Sequence, residues 1–457
     1  MNIIRRRLDV DRRSEAGLSL VEVIVALLVL AIISTGVAFT MTSVLALTRD
    51  SGSRQQAANL AAQEIDLSRS IDNLFGLVDA DRDVTVNGTV YHIHRSTQWV
   101  SDPSVDQKCG TGGGVLRYKR VNVTVGWDGM RSATATVRAD TLIDPGTRLN
   151  DPTLGTILVS VTTASGSPSP GVTVTAAPSS TPNGAQALTA APAPTDAQGC
   201  TYILQVVPGN YDVKITKSNF VDVNQSSSPV STTGVAVSAA ASVRLDFDNA
   251  GVFPITYAGG APKLPTNLGT SFLSTYGSYV TTSPNPSVKL YPFTAGYQVL
   301  AGNYVDPSLP SGGCASVDPS RWLAGTSGGV VYADGTRPLA VATVPGGTAL
   351  PTDVSMGVLT VPVPRRQWLT AVSQPTGPTG TGDPGCAVGM VYNFVQQGSS
   401  DGTYTIGLPY GSWKIFTGSS VGSTSTVIPT AQMIVLPARQ FTPSGDIVTL
   451  DPRPVAP

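Results

Sequence analysis

A long apolar run near the N-terminus is the feature that most constrains how this chain folds. Between Leu18 and Leu47 the sequence carries a single charged side chain, that of Glu22. A helix rises about 1.5 Å per residue and the hydrocarbon core of a bilayer is about 30 Å thick, so the run is long enough to cross a membrane. The sequence therefore predicts a membrane-spanning helix at the start of the chain.

The segment before this run is basic and ends in Ala16-Gly17. Its five arginines are Arg5, Arg6, Arg7, Arg12 and Arg13. A cut after Gly17 would leave the whole helix on the mature chain, whereas an ordinary secretory signal is cleaved after its apolar region. Because positive charge holds the leader on the cytoplasmic side, we expect a single span of the cytoplasmic membrane with the C-terminus outside.

This arrangement resembles the class III signal of type IV prepilins. The resemblance places the cleavage position at Gly17, the new N-terminus at Leu18 and the fifth residue of the mature chain at Glu22. It implies two partners. One is a prepilin peptidase, which cuts after the glycine and methylates the new amine, and the other is the set of pilin subunits that assemble through the helix. Leu18 departs from the pattern of major pilins, which usually carry Phe there, while minor pilins and pseudopilins vary more.

Glu22 is the most informative residue of the run, because a carboxylate inside an apolar helix is costly unless it is paired. The prepilin resemblance implies that it meets the free N-terminal amine of a neighbouring subunit during assembly. The alternative is that Glu22 reaches the membrane interface and favours the positive end of its own helix dipole. The assembly role is preferred because Gly17 and the basic leader accompany this glutamate.

Composition limits the function of the remaining chain. Charged residues make up 13% of the 457 residues and the net charge is -1, which argues against nucleic-acid binding through bulk charge. Four cysteines suit an oxidising compartment, and their spacing is unlike CxxC metal motifs: Cys109, Cys200, Cys314 and Cys386. They allow two disulfides in three connectivities, or one bond between Cys314 and Cys386 and two free thiols if Cys109 and Cys200 lie in different domains.

Beyond the membrane the helix is expected to continue to Gly76, which would end it. The predicted boundaries are a leader at 1-17 and a transmembrane and assembly helix at 18-76. A stripe at helical spacing predicts the face that packs on a sheet: Ala57, Leu60, Leu67, Ile71 and Leu74. The segment is similar to the one that follows the membrane helix in V-type minor pilins, with Leu60 and Glu64 at matching places.

Period-two patterns over residues 77-148 predict a small antiparallel sheet. Asn87-Gly88 and Asp128-Gly129 each separate two alternating runs, which is the strongest short signal for a hairpin. The second hairpin is expected to pair 118-127 with 131-141. A helix followed by such a sheet resembles the globular head of a pilin.

The two histidines of the chain, His92 and His94, alternate along one predicted strand and therefore face the same side of it. A metal pair is conceivable, but no carboxylate or third ligand at a suggestive spacing accompanies them. An exposed strand face is the preferred interpretation, and no metal or cofactor is predicted for the chain.

After a linker near residue 150 the composition shifts to Thr, Ser, Pro and Val. Strand signals in 153-248, with a turn and strand over 207-215, resemble the transthyretin-like β-sandwiches of carboxypeptidase regulatory domains and Cna-B-type modules. The pattern returns about two hundred residues later over 401-415, and Gly385-Cys386 echoes Gly199-Cys200. Such internal repetition predicts a row of small sandwiches.

Two further domains are expected, an irregular β domain at 249-350 and a second sandwich at 351-457. A single larger domain spanning both is the alternative. Cna-B-type modules often form an isopeptide bond from a Lys in the first strand, but neither 157-161 nor 358-363 contains a Lys. No isopeptide crosslink is therefore predicted.

The expected fold class is α+β, with a long N-terminal helix packed on a small antiparallel sheet and followed by all-β sandwich domains. No motif for a nucleophile elbow, phosphate loop, zinc protease or kinase occurs in the sequence, so the chain is not expected to be an enzyme. The resemblances imply a minor pilin or pseudopilin of a type IV pilus-like filament, with sandwich loops displayed at or near the tip for adhesion or surface recognition. The alternative is a pseudopilin of a type II secretion or DNA-uptake system whose added domains bind cargo.

Overall fold

Two compact units make up the chain, Met1–Val100 with Arg117–Pro145 and Ser101–Leu116 with Gly146–Pro457. The computed structural model describes residues 19-71, 74, 76-101, 106, 107, 109, 116-130, 136-144, 151-180, 183-258, 262-310, 312-436 and 441-457. One long helix is followed by many β-strands, so the predicted α+β class is confirmed.

The first unit begins with α1, a helix of 50 residues spanning Leu20–Arg69. It ends earlier than Gly76, where the sequence predicted its end. Ser70 caps it, with its N–H donating to the carbonyls of Asp66 and Leu67. Leu74 and Leu77 follow and are both buried. Their burial in the core of the unit outweighs the few hydrogen bonds that a longer helix would have added.

The buried face of α1 also differs from the predicted stripe. It consists of Ala57, Leu60, Ala61, Glu64, Ile65 and Ser68. Leu67 was predicted as core but is 45% exposed, and Ile71 and Leu74 lie beyond the helix. Glu64 is seven positions after Ala57, close to two full helical turns, so the two residues lie on the same face of α1. Leu67 is ten positions after Ala57 and lies to the side of that face, although it is the more apolar residue.

The strands after the helix are β1 (Ala80–Val86), β2 (Thr89–Ser101), β3 (Asp106–Gln107), β4 (Leu116–Trp127) and β5 (Val137–Ile143). Strands β1, β2, β4 and β5 lie side by side in that order. The antiparallel hairpin of β1 and β2 is confirmed, and both turn residues, Asn87 and Gly88, have positive φ, as a two-residue hairpin turn requires. The second hairpin pairs β4 with β5, which begins at Val137, later than predicted. Residues 131-135 lie outside the described residues.

Alternation along the strands places the core of this sheet on one face. Val121, Val123 and Val125 of β4 are fully buried, and Tyr91 and Ile93 of β2 are nearly so. The helix packs against β5. We call this sheet, together with the part of α1 from Ala57 onward, the head.

The second unit contains a β-sandwich formed by β6 (Gly155–Thr162), β7 (Thr173–Pro178), β8 (Cys200–Val206), β9 (Gly209–Thr216), β10 (Phe220–Asp222), β11 (Val230–Val235) and β12 (Ala240–Asn249). One sheet has the order β10-β12-β6-β8 and the other β11-β9-β7. Strands β6 and β12, the first and last of the sandwich, pair in parallel. Between the sheets lies an apolar core that includes Ile157, Val159 and Val161 of β6.

The rest of the second unit consists of short strands and two 3-10 turns. The strands are β13 (Gly251–Tyr257), β14 (Thr270–Leu273), β15 (Ser278–Val280), β16 (Ser287–Leu290), β17 (Gln298–Ala301), β18 (Gly325–Ser327), β19 (Val330–Tyr332), β20 (Thr352–Val354), β21 (Gly357–Val363), β22 (Trp368–Ser373), β23 (Val391–Asn393), β24 (Gly402–Leu408), β25 (Gly411–Gly418), β26 (Thr426–Val427), β27 (Ile434–Leu436), β28 (Phe441–Ser444) and β29 (Ile447–Leu450). The 3-10 turns span Pro319–Arg321 and Thr430–Gln432. Among the described residues of this part, the largest sheet has six strands in the order β23-β22-β25-β29-β28, with β26 paired to β25, and three sheets of three strands each include one with the order β24-β21-β27.

One continuous hydrophobic core extends from Phe253 to Leu450. The stretches 249-350 and 351-457 therefore share a core, which corresponds to the single larger domain that the sequence left open. Strand β13 of the first stretch pairs in parallel with β20 of the second. A hydrophobic core common to both stretches is typical of one domain rather than of two separate domains.

The echo between the two halves of this unit extends to side-chain geometry. Tyr211 Oη donates to the carbonyl of Val207, and Trp413 Nε1 donates to the carbonyl of Pro409, in both cases four residues earlier. Gly209 and Gly411, which open β9 and β25, both have positive φ. A buried aromatic thus anchors the preceding turn in the same way twice.

Candidate functional site

The first part of α1 exposes its apolar side chains to solvent. From Leu20 to Leu47 the large apolar residues are each 40-78% exposed, and within the described residues α1 is the helix long and apolar enough to cross a membrane. No side chain of this window is buried by the rest of the chain. Such a surface is unfavourable in water, so this part of the helix requires lipid or other apolar helices around it.

The N-terminus of α1 is closed by a capping box. Ser19 Oγ accepts from the Val21 N–H at 3.2 Å, and Glu22 Oε2 accepts from the Ser19 N–H at 3.4 Å. This is the geometry of the alternative in which Glu22 serves its own helix, and it uses one carboxylate oxygen. The assembly role of Glu22 stays a prediction, and the processing residues Gly17 and Leu18 lie outside the described residues.

Glu22 lies at one end of an otherwise apolar helix face. The residues of this face are Ser19, Val21, Glu22, Val25, Ala26, Val29, Leu30 and Ile33. Small and branched side chains such as Ala26 and Val29 allow another helix to approach closely. The face therefore combines an apolar packing surface with a single anionic group. It would favour a second helix that has a cationic group at the level of Glu22.

The other end of α1 carries a buried acid that the sequence analysis placed in a motif but did not predict to be buried. Glu64 is 6% exposed and accepts from Arg95 Nη1 at 2.8 Å and from Arg82 Nη2 at 2.9 Å. The two arginines lie on β2 and β1, so both carboxylate oxygens of Glu64 join the helix to the sheet. The match of Glu64 to the V-type minor pilin pattern was the only sequence signal for this position.

His92 and His94 lie on an exposed strand face, where each pairs with the aspartate opposite on β1. His92 Nδ1 is 2.8 Å from Asp83, its Nε2 is 3.2 Å from Asp128, and His94 Nδ1 is 2.6 Å from Asp81. The hydrogen bonds to Asp83 and Asp128 raise the pKa of His92 above 6.5. Carboxylates therefore do accompany the histidines, although the spacing of these residues along the chain does not indicate it.

The four cysteines form two disulfides, Cys109 with Cys200 and Cys314 with Cys386. This is one of the connectivities that the sequence left open. All four are buried, and both bonds lie within the second unit. In each bond the second cysteine follows a glycine of positive φ, Gly199 or Gly385, so the repeated Gly-Cys pair marks an equivalent crosslinked turn.

A buried aspartate of the second unit is paired with an arginine. Asp318 is fully buried and accepts from Arg337 Nε and Nη2 and from the Ser320 hydroxyl. Burial opposes ionisation of Asp318, but the hydrogen bonds from Arg337 and Ser320 hold its pKa below the usual value. Within the part of the chain that the structure describes, no three His, Cys, Asp or Glu side chains are arranged to hold a metal ion.

A helix long and apolar enough to cross a membrane, which follows a basic leader and then packs on an antiparallel sheet, is typical of a pilin-like, membrane-anchored class of subunit. The family comparison agrees at the N-terminus, where residues 12-38 match the prokaryotic N-terminal methylation motif. This motif supports processing by a prepilin peptidase, membrane anchoring and display on a pilus-like filament. A search of curated proteins finds no match.

Several solved structures are similar over large parts of the chain. The Bacillus anthracis TIE protein is 10% identical in sequence to this chain, with a TM-score of 0.19. The match covers 82% of this chain and 71% of the TIE chain. A Streptococcal ancillary pilin has 9% identity, 47% and 86% coverage, and a TM-score of 0.18. BcpA, the major pilin subunit of Bacillus cereus, has 8% identity, 65% and 95% coverage, and a TM-score of 0.17. TM-scores of this size do not bear on the fold or function of the chain.

Proposed function

We propose that the chain is a minor pilin or pseudopilin of a type IV pilus-like filament that displays its β domains for adhesion or surface recognition. The observation that supports this most strongly is the division of α1 into two parts. Its first part is apolar and exposed, while its second part is buried in the head through Ala57, Leu60, Ala61 and Ile65. One helix thus supplies a membrane anchor, a surface for neighbouring helices and the spine of a globular head.

Cleavage after Gly17 would place a cationic amine at the positive end of the α1 dipole. The ammonium group and the partial positive charge of the helix N-terminus repel each other. The low dielectric of a membrane or filament core makes this repulsion stronger. Glu22 lies one turn away and supplies the compensating anion. A neighbouring subunit's amine would meet the same apolar face, so pairing with Glu22 would fix the axial position of one subunit against the next.

The β domains form the displayed part. A second unit of the size of Gly146–Pro457 is bulky for every subunit of a packed filament, which favours low abundance or a position at the tip. The sandwich β6-β12 has the two-sheet, seven-strand organisation expected of transthyretin-like modules, and we propose that subtype for it. We also propose that the chain binds rather than catalyses, with its loops carrying recognition.

Filament incorporation of Glu22 variants tests this proposal. Cells that express the full chain are separated into membrane and sheared-filament fractions, and the N-terminal peptide of each fraction is sequenced by mass spectrometry. We expect mature chain beginning at Leu18 with a methylated amine. Glu22→Gln and Glu22→Ala are expected to insert in the membrane normally but to fall at least roughly tenfold in the filament fraction, because an unpaired cation is left in a low-dielectric interface.

Ser19→Ala is the matched control, since it removes the capping acceptor for Val21 and leaves the Glu22 charge unchanged. The loss of a cap costs about 1 kcal/mol, and a long helix held by the membrane tolerates it. Ser19→Ala should therefore assemble like the wild type. Equal incorporation of Glu22→Gln and wild type would reduce Glu22 to a capping residue, and a start before Gly17 in the filament fraction would contradict the processing.

A further inference from the structure

A small pocket lies where the loop between β10 and β11 meets the β14-β15 hairpin, within the second unit. Its volume is about 180 Å³. Six of the residues that line it carry the argument: Asn224, Gln225, Ser274, Tyr276, Tyr279 and Tyr297. We call it the junction pocket, because the loop belongs to the sandwich β6-β12 and the hairpin to the body that follows.

Tyr276 forms an aromatic rim to the junction pocket. Its side chain is 58% exposed, yet the turn that carries it is fixed, because Ser274 Oγ accepts from the N–H groups of Tyr276 and Gly277 and donates to the Gly277 carbonyl. The Tyr276 ring also stacks on Phe293, with 5.9 Å between the ring centroids. An exposed ring that is already immobilised can contact a ligand with little further loss of conformational entropy.

The floor of the junction pocket is equally preorganised. Gln225 Nε2 donates to Tyr297 Oη at 3.1 Å and to the Val223 carbonyl at 3.2 Å, while its Oε1 accepts from the Tyr291 N–H at 2.6 Å. Gln225 adopts a positive φ of 68°, a strained conformation for a residue other than glycine. Such strain is held only where the surroundings over-determine it, and it occurs often at binding sites.

The chemistry of the lining specifies the ligand. None of the described residues that line the pocket carries a charge, and burial raises the pKa of Tyr297, so its phenol stays neutral and keeps its proton. A volume of 180 Å³ is below the roughly 300-1,000 Å³ of pockets for drug-sized ligands, which leaves room for a single small ring. The aromatic side chains of the pocket suit a ligand ring that presents a face of C–H bonds. The amide and hydroxyl groups beside them suit hydroxyl groups around the edge of that ligand.

We propose that the junction pocket binds one ring of a neutral saccharide, with Tyr276 stacking on its C–H face and Asn224 bonding to a hydroxyl. This assignment rests on the proposed function, since it names the class of surface ligand that a displayed subunit would recognise. Recognition of one sugar ring at a time gives weak binding per subunit, which several filaments acting together strengthen through avidity.

Saturation-transfer NMR on the full chain tests the assignment. The chain is kept in a zwitterionic detergent without a sugar headgroup, because a maltoside or glucoside would compete for the pocket. The probes are the methyl glycosides of glucose, galactose, mannose, fucose and N-acetylglucosamine. We expect transfer to the ring C–H protons of at least one of them, a roughly tenfold or greater loss of affinity in Tyr276→Ala, and near-native affinity in Tyr276→Phe.

Val421→Ala removes an exposed apolar side chain that does not line the pocket and serves as the matched control. The inference is overturned if no neutral glycoside shows transfer, or if Tyr276→Ala binds as well as Val421→Ala. Tyr276→Ala should enter filaments like the wild type. Absence of the wild-type chain from filaments would count against the proposed function alone, because saccharide binding is measured on the detergent-held chain.

Discussion

Glu64 of α1 and Arg95 of β2 form an ion pair of 2.8 Å that is largely withdrawn from solvent, with 8% and 13% of their side chains exposed. Arg95 Nε also donates to the Val78 carbonyl. Each further donor to a buried carboxylate, or acceptor for a buried guanidinium, offsets part of the desolvation cost. The pair therefore fixes where the second part of α1 rests on the sheet of the head.

Replacing Glu64 by Ala is expected to destabilise the head by about 3-5 kcal/mol, because Arg95 is left buried without its counter-ion. Hydrogen exchange of β2 peptides in the full chain, followed by mass spectrometry, measures this local opening. Arg82 is 46% exposed, so Arg82→Ala serves as the control and is expected to cost about 1 kcal/mol or less. Equal exchange rates in the two variants would contradict the importance of burial at Arg95.

The pairing of β1 with β2 should weaken as the pH rises from 6.5 through the pKa of His92 in the folded chain. The pKa of His92 in the folded chain lies above its ordinary 6.5 because of the hydrogen bonds to Asp83 and Asp128. Its stabilising contribution is therefore complete below pH 6.5 and is lost as the pH rises through the folded pKa. An NMR titration of the His92 ring measures that pKa. Asp83→Asn should move it back towards 6.5, and an unchanged titration in this variant would rule out the Asp83 hydrogen bond as the main cause of the raised pKa.

Arg453 is expected to hold the C-terminal segment in place. Its guanidinium is buried, pairs with Asp451, donates to the carbonyls of Leu323 and Thr381, and lies over the Tyr332 ring at 4.8 Å. Arg453→Ala would leave a buried carboxylate unpaired and should cost about 3-5 kcal/mol, seen as faster exchange in β18 and β19.

Two further variants separate charge from packing at this position. Asp451→Asn combined with Arg453→Met should recover part of the loss, because no uncompensated charge remains. Arg321→Ala removes a half-exposed arginine 3.9 Å from Asp318 and should change stability by less than about 1 kcal/mol. A double variant less stable than Arg453→Ala would show that the ion pair itself, and not the buried charge left behind, carries the effect.

Elements with local signals were predictable from the sequence. The apolar run from Leu18 gave the helix, and Asn87-Gly88 and Asp128-Gly129 gave the hairpins, because a two-residue turn is specified by its own backbone preferences. The processing roles of Gly17 and Leu18 and the assembly role of Glu22 rest on the same short segment and stay predictions. The capping box of Ser19 with Glu22 follows from their separation of three positions along the chain.

Features that depend on distant partners were not predictable. Glu64 is buried only because Arg82 and Arg95, 18 and 31 residues away, reach it. The helix ends early because Leu74 and Leu77 gain burial in the head. No glycine or proline at Ser70 indicates this end in the sequence. The junction pocket joins a loop at Gln225 to a hairpin at Tyr276, and neither segment has a binding motif of its own.

The parallel pairing of β6 with β12 determines how the sandwich responds to mechanical tension. The chain enters the sandwich through β6 and leaves it through β12, and the two strands run in the same direction over seven residue pairs, from Thr156↔Ala240 to Thr162↔Asp246. While the Cys109–Cys200 bond is intact, a pull from the N-terminal side of the chain enters the sandwich at Cys200 of β8 and leaves β6 unloaded. Once that bond is reduced, the same pull slides β6 past β12 and loads all their hydrogen bonds at once, whereas peeling would break them singly. The disulfide therefore decides whether the sandwich meets tension along the chain as a shear clamp.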